Sequence, residues 1–198
     1  MTHLGLFGGT FDPVHYGHLR TVEAARIELD LPEVWIVPNP QPPHKLHLAM
    51  TPYQHRKEML KLALEEFPAL KLSETEEDVE GPAYTTETIR RVIDKLPAGK
   101  KDLWLIVGAD SLVELPKWKN PDDLFEHARV AVLRRPGVDL NDAQPRFLAR
   151  VHVLKTPLVP ISATEIRQAI QRGKSTAKWI PASVRKYIKK HGLYQAKV

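Results

Sequence analysis

Residues 8–19 read Gly8-Gly9-Thr10-Phe11-Asp12-Pro13-Val14-His15-Tyr16-Gly17-His18-Leu19. An apolar run, Leu4-Gly5-Leu6-Phe7, leads into this stretch. A helical pattern leads out of it, spanning about Gly17 to Asp30 with Leu19, Val22, Ala25 and Leu29 on one face. The stretch is therefore a glycine-rich turn from a strand into a helix, with two histidines at the helix entrance. Glycines let main-chain N–H groups approach an anion closely, and the helix N-terminus adds partial positive charge. Histidines three positions apart at a helix start can face one point and offer it hydrogen bonds or protons. The combination suits polyphosphate chemistry, although the turn lacks both the Gly-Lys-Ser/Thr ending of a Walker A loop and a Gly-x-Gly-x-x-Gly pattern.

Outward from this turn, strand-like and helix-like patterns alternate. Val34-Trp35-Ile36-Val37, Leu70–Leu72, Leu103–Val107, Val130–Leu133 and Val151–Leu154 read as further strands. Thr51, Pro52 and Gln54 fit the N-cap, the first helical position and the far side of a capping box, ahead of an inner face made by Leu60, Ala63, Leu64 and Phe67. Ile89, Val92, Ile93 and Leu96 mark the next helix. Ser162 and Glu165 form another capping box, with Gly173 as the stop, and a last helix runs from near Pro181 to Gly192. Nearly continuous apolar strands are buried on both faces. Together with the alternation, this predicts an α/β fold: a Rossmann-like, doubly wound parallel sheet of about five or six strands with helices on both faces. The length suits one domain, 1–198, with a C-terminal helical portion from about 162. Ligands of such sheets sit beyond the carboxyl ends of the strands, where the loops Gly8–His18, Pro38–Lys45, Gly108–Trp118 and Arg134–Pro136 converge.

Composition narrows the function further. The net charge is +5, but from Lys174 onward there are seven Lys or Arg and no Asp or Glu, so the remainder carries −2. The excess is a C-terminal segment, not a stripe across the fold, which argues against nucleic acid as a partner. The five acids of Glu74–Glu80 are expected to be an exposed loop. There is no cysteine, which excludes disulfide and thiolate chemistry and fits a reducing compartment. No apolar run approaches the roughly 18 residues of a membrane span, and the N-terminus lacks a basic-then-apolar leader. The expectation is a cytoplasmic protein without a membrane partner; a homo-oligomer stays open.

Two motifs carry a family resemblance. Gly9 to Leu19, with His15-Tyr16-Gly17-His18 at its centre, resembles the signature of the nucleotidyltransferase superfamily that bears a His-x-Gly-His motif. Ile161-Ser162-Ala163-Thr164-Glu165-Ile166-Arg167 resembles that superfamily's second element. A capping box explains Ser162 and Glu165 there, but not Thr164 and Arg167 at the same helix end. Within the superfamily the chain is similar, essentially end to end, to the bacterial nicotinate-nucleotide adenylyltransferases. The further matches are Pro42-Pro43-His44-Lys45, Ala83-Tyr84-Thr85, Gly108-Ala109-Asp110-Ser111-Leu112, Pro116-x-Trp118 and Arg134-Arg135-Pro136. Ala83 departs from a serine common at that place, and Ala163 is one of two residues the family uses.

The resemblance implies that ATP and nicotinate mononucleotide are joined with release of pyrophosphate, the Mg2+ being carried by ATP. It assigns His18 to the α-phosphate and bridging oxygen, with His15 beside it, and gives Lys45 and Arg167 the task of neutralising phosphate charge. The ATP side comprises Gly8, Gly9, Thr10, Phe11 and Gly17 of the first turn, Gly108 and Asp110 near the sugar or base, Arg134 near the adenine, and Ile161, Ser162 and Thr164 at the β,γ-phosphates. The mononucleotide side comprises His44, Tyr84, Thr85 and Trp118. A proline-stiffened loop offers Lys45 as a point charge, free N–H groups after Tyr84 suit a carboxylate, and an indole face suits a pyridine ring. Thr85 is also expected to cap its helix, and a cap is the simpler role for Asp110. The histidines have no third partner at zinc-ligand spacing. Two other readings share these residues in part: a phosphopantetheine adenylyltransferase, and a non-catalytic nucleotide-binding module on the same fold.

Overall fold

The structure, a computed structural model, describes residues 2–42, 50–79, 81–97 and 101–195. In chain order its elements are β1 (Thr2–Gly9), α1 (Tyr16–Glu28), β2 (Val34–Pro38), α2 (Tyr53–Leu64), β3 (Leu70–Leu72), α3 (Thr85–Lys95) and β4 (Lys101–Gly108). There follow α4 (Ala109–Glu114), α5 (Asp123–His127), β5 (Arg129–Leu133), α6 (Pro145–Leu148), β6 (Val151–Val153), α7 (Ala163–Gln171) and α8 (Ala182–Lys190). The strands form one parallel sheet in the order β3-β2-β1-β4-β5-β6. Phe7 of β1 is in register with Ile36 of β2 on one side and Ile106 of β4 on the other.

Strand alternation divides the apolar residues between two layers. Phe7, Ile36, Ile106, Ala131 and Leu133 face one core, closed by Leu19, Val22 and Ala25 of α1, Met59, Leu60 and Ala63 of α2, Ile166 of α7, and Val184 and Ile188 of α8. Leu4, Leu6, Leu103, Leu105, Val130 and Val132 face the other, closed by Ile89 and Val92 of α3, Leu112 of α4, Leu124 of α5 and Phe147 of α6. Each fully buried leucine or valine contributes about 1.5–3 kcal/mol relative to an exposed one, so β1, β2, β4 and β5 are held from both sides.

The order of strands decides where a ligand can sit. From β1 the chain builds outward through β2 and β3, then returns across β1 to begin β4 on its other side. The topological switch therefore falls between β1 and β4, and the crevice opens above their carboxyl ends, over Gly9 and Gly108. The helix ends follow local chemistry. Gly173 adopts φ +64 beyond α7, and its N–H and that of Lys174 donate to the carbonyls of Ile170 and Ala169 at 3.0 and 2.8 Å. A residue with a Cβ is strained in that conformation.

Four local expectations are corrected. The capping box at Thr51 does not form: Pro52 is the N-cap, without a side-chain bond, and Gln54 reaches Glu77 instead. Thr85 does not cap α3 but stands in its first turn behind Tyr84, and Gly108, not Asp110, precedes α4. The acidic segment is not simply an exposed loop. Glu76 is 5% exposed and accepts a hydrogen bond from the Thr88 hydroxyl, and burial pushes its carboxyl pKa up. Glu74 and Glu77 both hold Lys57, at 3.1 and 2.6 Å.

Candidate active site

The two motif histidines meet at the start of α1. His15 is its N-cap, in extended conformation, and its Nδ1 accepts the His18 main-chain N–H at 3.3 Å. That bond leaves the His15 proton on Nε2. The two imidazoles stack, with centroids 3.6 Å apart and planes 21° from parallel. Burial, and secondarily the charge of Arg135, lowers the His15 pKa to about 3, so the ring is neutral in the working range. Phe11, 2% exposed, stands edge-on to His18 at 5.2 Å and forms the floor beneath it. Gly17 makes the stack possible: a Cβ there would lie 2.8 Å from His15 Nδ1 and 3.2 Å from the Ile161 carbonyl oxygen.

That second contact brings the start of α7 against the start of α1, so two helix N-termini border one space. Ser162 caps α7, accepting from the Glu165 N–H at 3.2 Å and donating to its carboxylate at 2.8 Å. Arg167, half-buried, donates to the Asp12 carbonyl at 2.7 Å and to the Thr164 hydroxyl at 3.2 Å. The sequence-predicted Gly17, His15, His18, Ile161, Ser162, Thr164 and Arg167 are thus gathered, with Gly8, Gly9, Thr10 and Phe11 supplying the strand end and turn below them.

Across the crevice, Asp110 at the start of α4 pairs with Arg135 at 3.4 Å. Both are half-exposed, so the pair contributes little stability, and its significance is where it puts charge. Arg134, the residue expected at the adenine, and Arg135 are both exposed on the same loop, and Arg135 is the one beside Asp110, Gly108 and His15. Neighbouring residues at a strand end point to opposite sides, so an Arg-Arg pair does not reveal which of the two turns inward.

The Trp118 segment reaches the start of α3 through Lys119. Lys119, next to Trp118, lies 4.6 Å over the Tyr84 ring and 3.1 Å from the Glu87 carboxylate in the first turn of α3. Trp118 is partly buried against Leu105, Leu112, Leu115 and Leu124. His44 and Lys45 lie outside the described residues. Among the described residues no group of three or more His, Cys, Asp or Glu is arranged to hold a metal ion, and no helix is long and apolar enough to cross a membrane.

Sequence reading missed Arg56. It is 1% exposed and donates to four carbonyls, those of Thr10 (2.7 Å), Asn39 (2.9 Å), Pro40 (2.9 Å) and Thr51 (2.9 Å). It thereby ties the first turn to both sides of the 43–49 segment. The available signal was its place on the buried stripe of α2, one turn before Met59 and Leu60 and two before Ala63.

A parallel sheet with a switch-point crevice bordered by two helix N-termini belongs to the nucleotide-binding class of α/β proteins. The family model described as cytidylyltransferase-like matches residues 6–169. The chain is 38% identical over 196 residues to the nicotinate-nucleotide adenylyltransferase of Bacillus subtilis, covering 99% of this chain and 100% of that protein. The chain belongs to the nicotinate-nucleotide adenylyltransferases within the cytidylyltransferase-like family. Its fold matches solved structures of the Plasmodium falciparum nicotinic acid mononucleotide adenylyltransferase, complexed with NaAD (TM-score 0.78, 19% identity) and with APC (TM-score 0.79, 18% identity), each over 98% of both chains.

Proposed function

We propose that this chain, acting as one domain over 1–198, joins MgATP and nicotinate mononucleotide directly, giving nicotinate adenine dinucleotide and pyrophosphate. An oxygen of the mononucleotide phosphate attacks the α-phosphorus of ATP; the bond from that phosphorus to the bridging oxygen breaks, and pyrophosphate leaves in line. The nucleophile is already an anion, so a general base adds little, and catalysis comes from positioning and from neutralising charge on the transferring group.

The observation that carries this reading is the stacked His15–His18 pair facing the start of α7. In it His18 addresses the α-phosphate and bridging oxygen, held by its neutral neighbour His15. Arg167 and Lys45 offset the phosphate charge, and Ile161, Ser162 and Thr164 border the β,γ-phosphates. Asp110, with Arg134 and Arg135 on the facing loop, lines the sugar and adenine side, and Gly8 to Phe11, Gly17 and Gly108 keep the backbone close to the nucleotide. His44, the amides after Tyr84, Thr85 and the Trp118 face receive the mononucleotide. Mg2+ enters with the triphosphate, since it keeps most of its waters and needs few protein ligands.

Pyrophosphate release from MgATP with nicotinate mononucleotide, with its amide form, or with phosphopantetheine tests the proposal. Fastest release with the nicotinate form is expected. Release with phosphopantetheine alone would move the chain to another branch of the superfamily, and no release with any acceptor would favour a nucleotide-binding module.

A further inference from the structure

Asp12 lies three residues before His15, and its carboxylate is held by two distant parts of the chain. Oδ2 accepts the Thr51 main-chain N–H at 3.2 Å, and Oδ1 accepts the Tyr194 hydroxyl at 2.6 Å. The Asp12 carbonyl is the acceptor for Arg167. Tyr194 follows the end of α8, where Gly192 and Tyr194 both take positive φ, +60 and +61, and its ring packs against the core that holds Phe11 and Leu19. The chain turns sharply after the basic helix, and the phenol is thereby delivered to the first motif. Burial, and next the Asp12 carboxylate, push the phenol pKa up, so it remains a donor throughout the neutral range.

We propose that Tyr194 is a positioning residue for adenylyl transfer: its hydroxyl fixes the Asp12 carboxylate and so holds the turn that carries the two histidines and the Arg167 contact. This rests on the transferase reading above and gives the C-terminal segment a part in the site without contact to substrate. The chemistry of the neighbourhood makes the bond consequential. The buried Arg56 guanidinium feels the Asp12 carboxylate, so that side chain is held between Tyr194, the Thr51 amide and a fixed positive charge. Arg167 is bonded to the Asp12 carbonyl, and its charge is felt at the Tyr194 phenol. An Asp12 side chain released by Tyr194 would loosen the turn whose carbonyl seats Arg167 and which leads into His15 and His18. Arg56, bonded to the Thr10 and Thr51 carbonyls, braces the same turn from the other side, so the turn is held at both flanks.

The test is Tyr194→Phe in the full chain, which keeps the ring and removes only the hydroxyl. We expect kcat to fall about tenfold, the scale of a small displacement of catalytic groups, with KM for nicotinate mononucleotide within about twofold of wild type. The variant should be fully folded by circular dichroism at the assay temperature, as a merely structural role would not predict alongside a loss of kcat. Asp12→Asn should lower kcat similarly, and the double variant should be no slower than the slower single one, because both break one linkage. Wild-type kcat in folded Tyr194→Phe, or losses that multiply in the double variant, would overturn the proposal. If Tyr194→Phe does not fold, folded Asp12→Asn decides by the same kcat criterion. If the wild-type chain itself releases no pyrophosphate, the transferase reading fails separately, and ATP titration calorimetry decides: weaker ATP binding in Tyr194→Phe supports the positioning role, and unchanged binding ends it.

Discussion

The imidazoles of His15 and His18 stack at 3.6 Å, yet their surroundings divide the labour. His15 is 4% exposed, spends its Nδ1 on the His18 amide, and is held neutral. His18, supported edge-on by Phe11, is the member of the pair assigned to the reacting phosphate. His18→Ala should lower kcat by on the order of 10²–10³, the scale for removing one preorganised electrostatic contact. Circular dichroism should show an intact fold, and unchanged turnover would remove His18 from the chemistry.

His15 carries a pH signature in stability. Its folded pKa of about 3 lies below the ordinary histidine value near 6.5, so below pH 6.5 the unfolded chain binds a proton that the native chain refuses. The histidine's contribution is therefore fully present above pH 6.5 and is lost as pH falls toward 3. At pH 5 the loss is about 2 kcal/mol relative to pH 8. Urea unfolding of wild type and of His15→Asn, which keeps a good N-cap, should differ in slope against pH between 7 and 4, with the shallower dependence in the variant. Equal slopes would mean that His15 titrates normally.

Trp118 packs against the core closed by α3 to α6, and its neighbour Lys119 lies over the Tyr84 ring. Trp118→Ala should raise KM for nicotinate mononucleotide more than KM for ATP, measured by varying each substrate at saturating levels of the other. Equal changes in both would remove the proposed stacking on the pyridine ring.

Arg56→Ala would leave four carbonyls, those of Thr10, Asn39, Pro40 and Thr51, without their common donor. Unsatisfied buried acceptors cost roughly 1–3 kcal/mol each before relaxation and hydration, so a net loss of about 3 kcal/mol is expected. For a chain of this size that is a fall of about 6–12 °C in thermal midpoint by calorimetry. Arg56→Lys should recover only part of it, because an ammonium cannot reproduce the fork that reaches Thr10, Asn39, Pro40 and Thr51 together. A shift under a degree in Arg56→Ala would show that water replaces the guanidinium at no cost.

The strands and helices were legible because their signals are local. Continuous apolar runs ended at Phe7, Val37, Val107 and Leu133 and found their places in a parallel sheet, and the Ser162 cap formed because both of its partners lie within four residues. The cap expected at Thr51 failed for the opposite reason. Its N–H is claimed by Asp12, 39 residues away, and its carbonyl by Arg56, so a tertiary bond displaced the local one. Glu76 looked like part of a solvated charge run, but the Thr88 hydroxyl on α3 drew it inside. Of the site, the first motif and the Ser162–Arg167 element could be read directly, whereas Arg56, Arg135 and Tyr194 act through partners that no spacing in the chain indicates.

The sequence by itself determined the strand-to-helix turn at Gly8–Leu19, the placement of two histidines at a helix start, the second helix start at Ser162, and the family these motifs resemble. Hydrophobic periodicity and capping chemistry operate over a few residues and are written wherever those residues stand. Only the tertiary structure decided that the chain crosses back over β1, which opens the crevice between β1 and β4. Only it decided that one buried guanidinium and one C-terminal phenol hold the turn at Thr10–Asp12. Those bonds join residues 46 and 182 positions apart, and at such separations their formation depends on how two cores pack around one sheet rather than on any pattern along the chain.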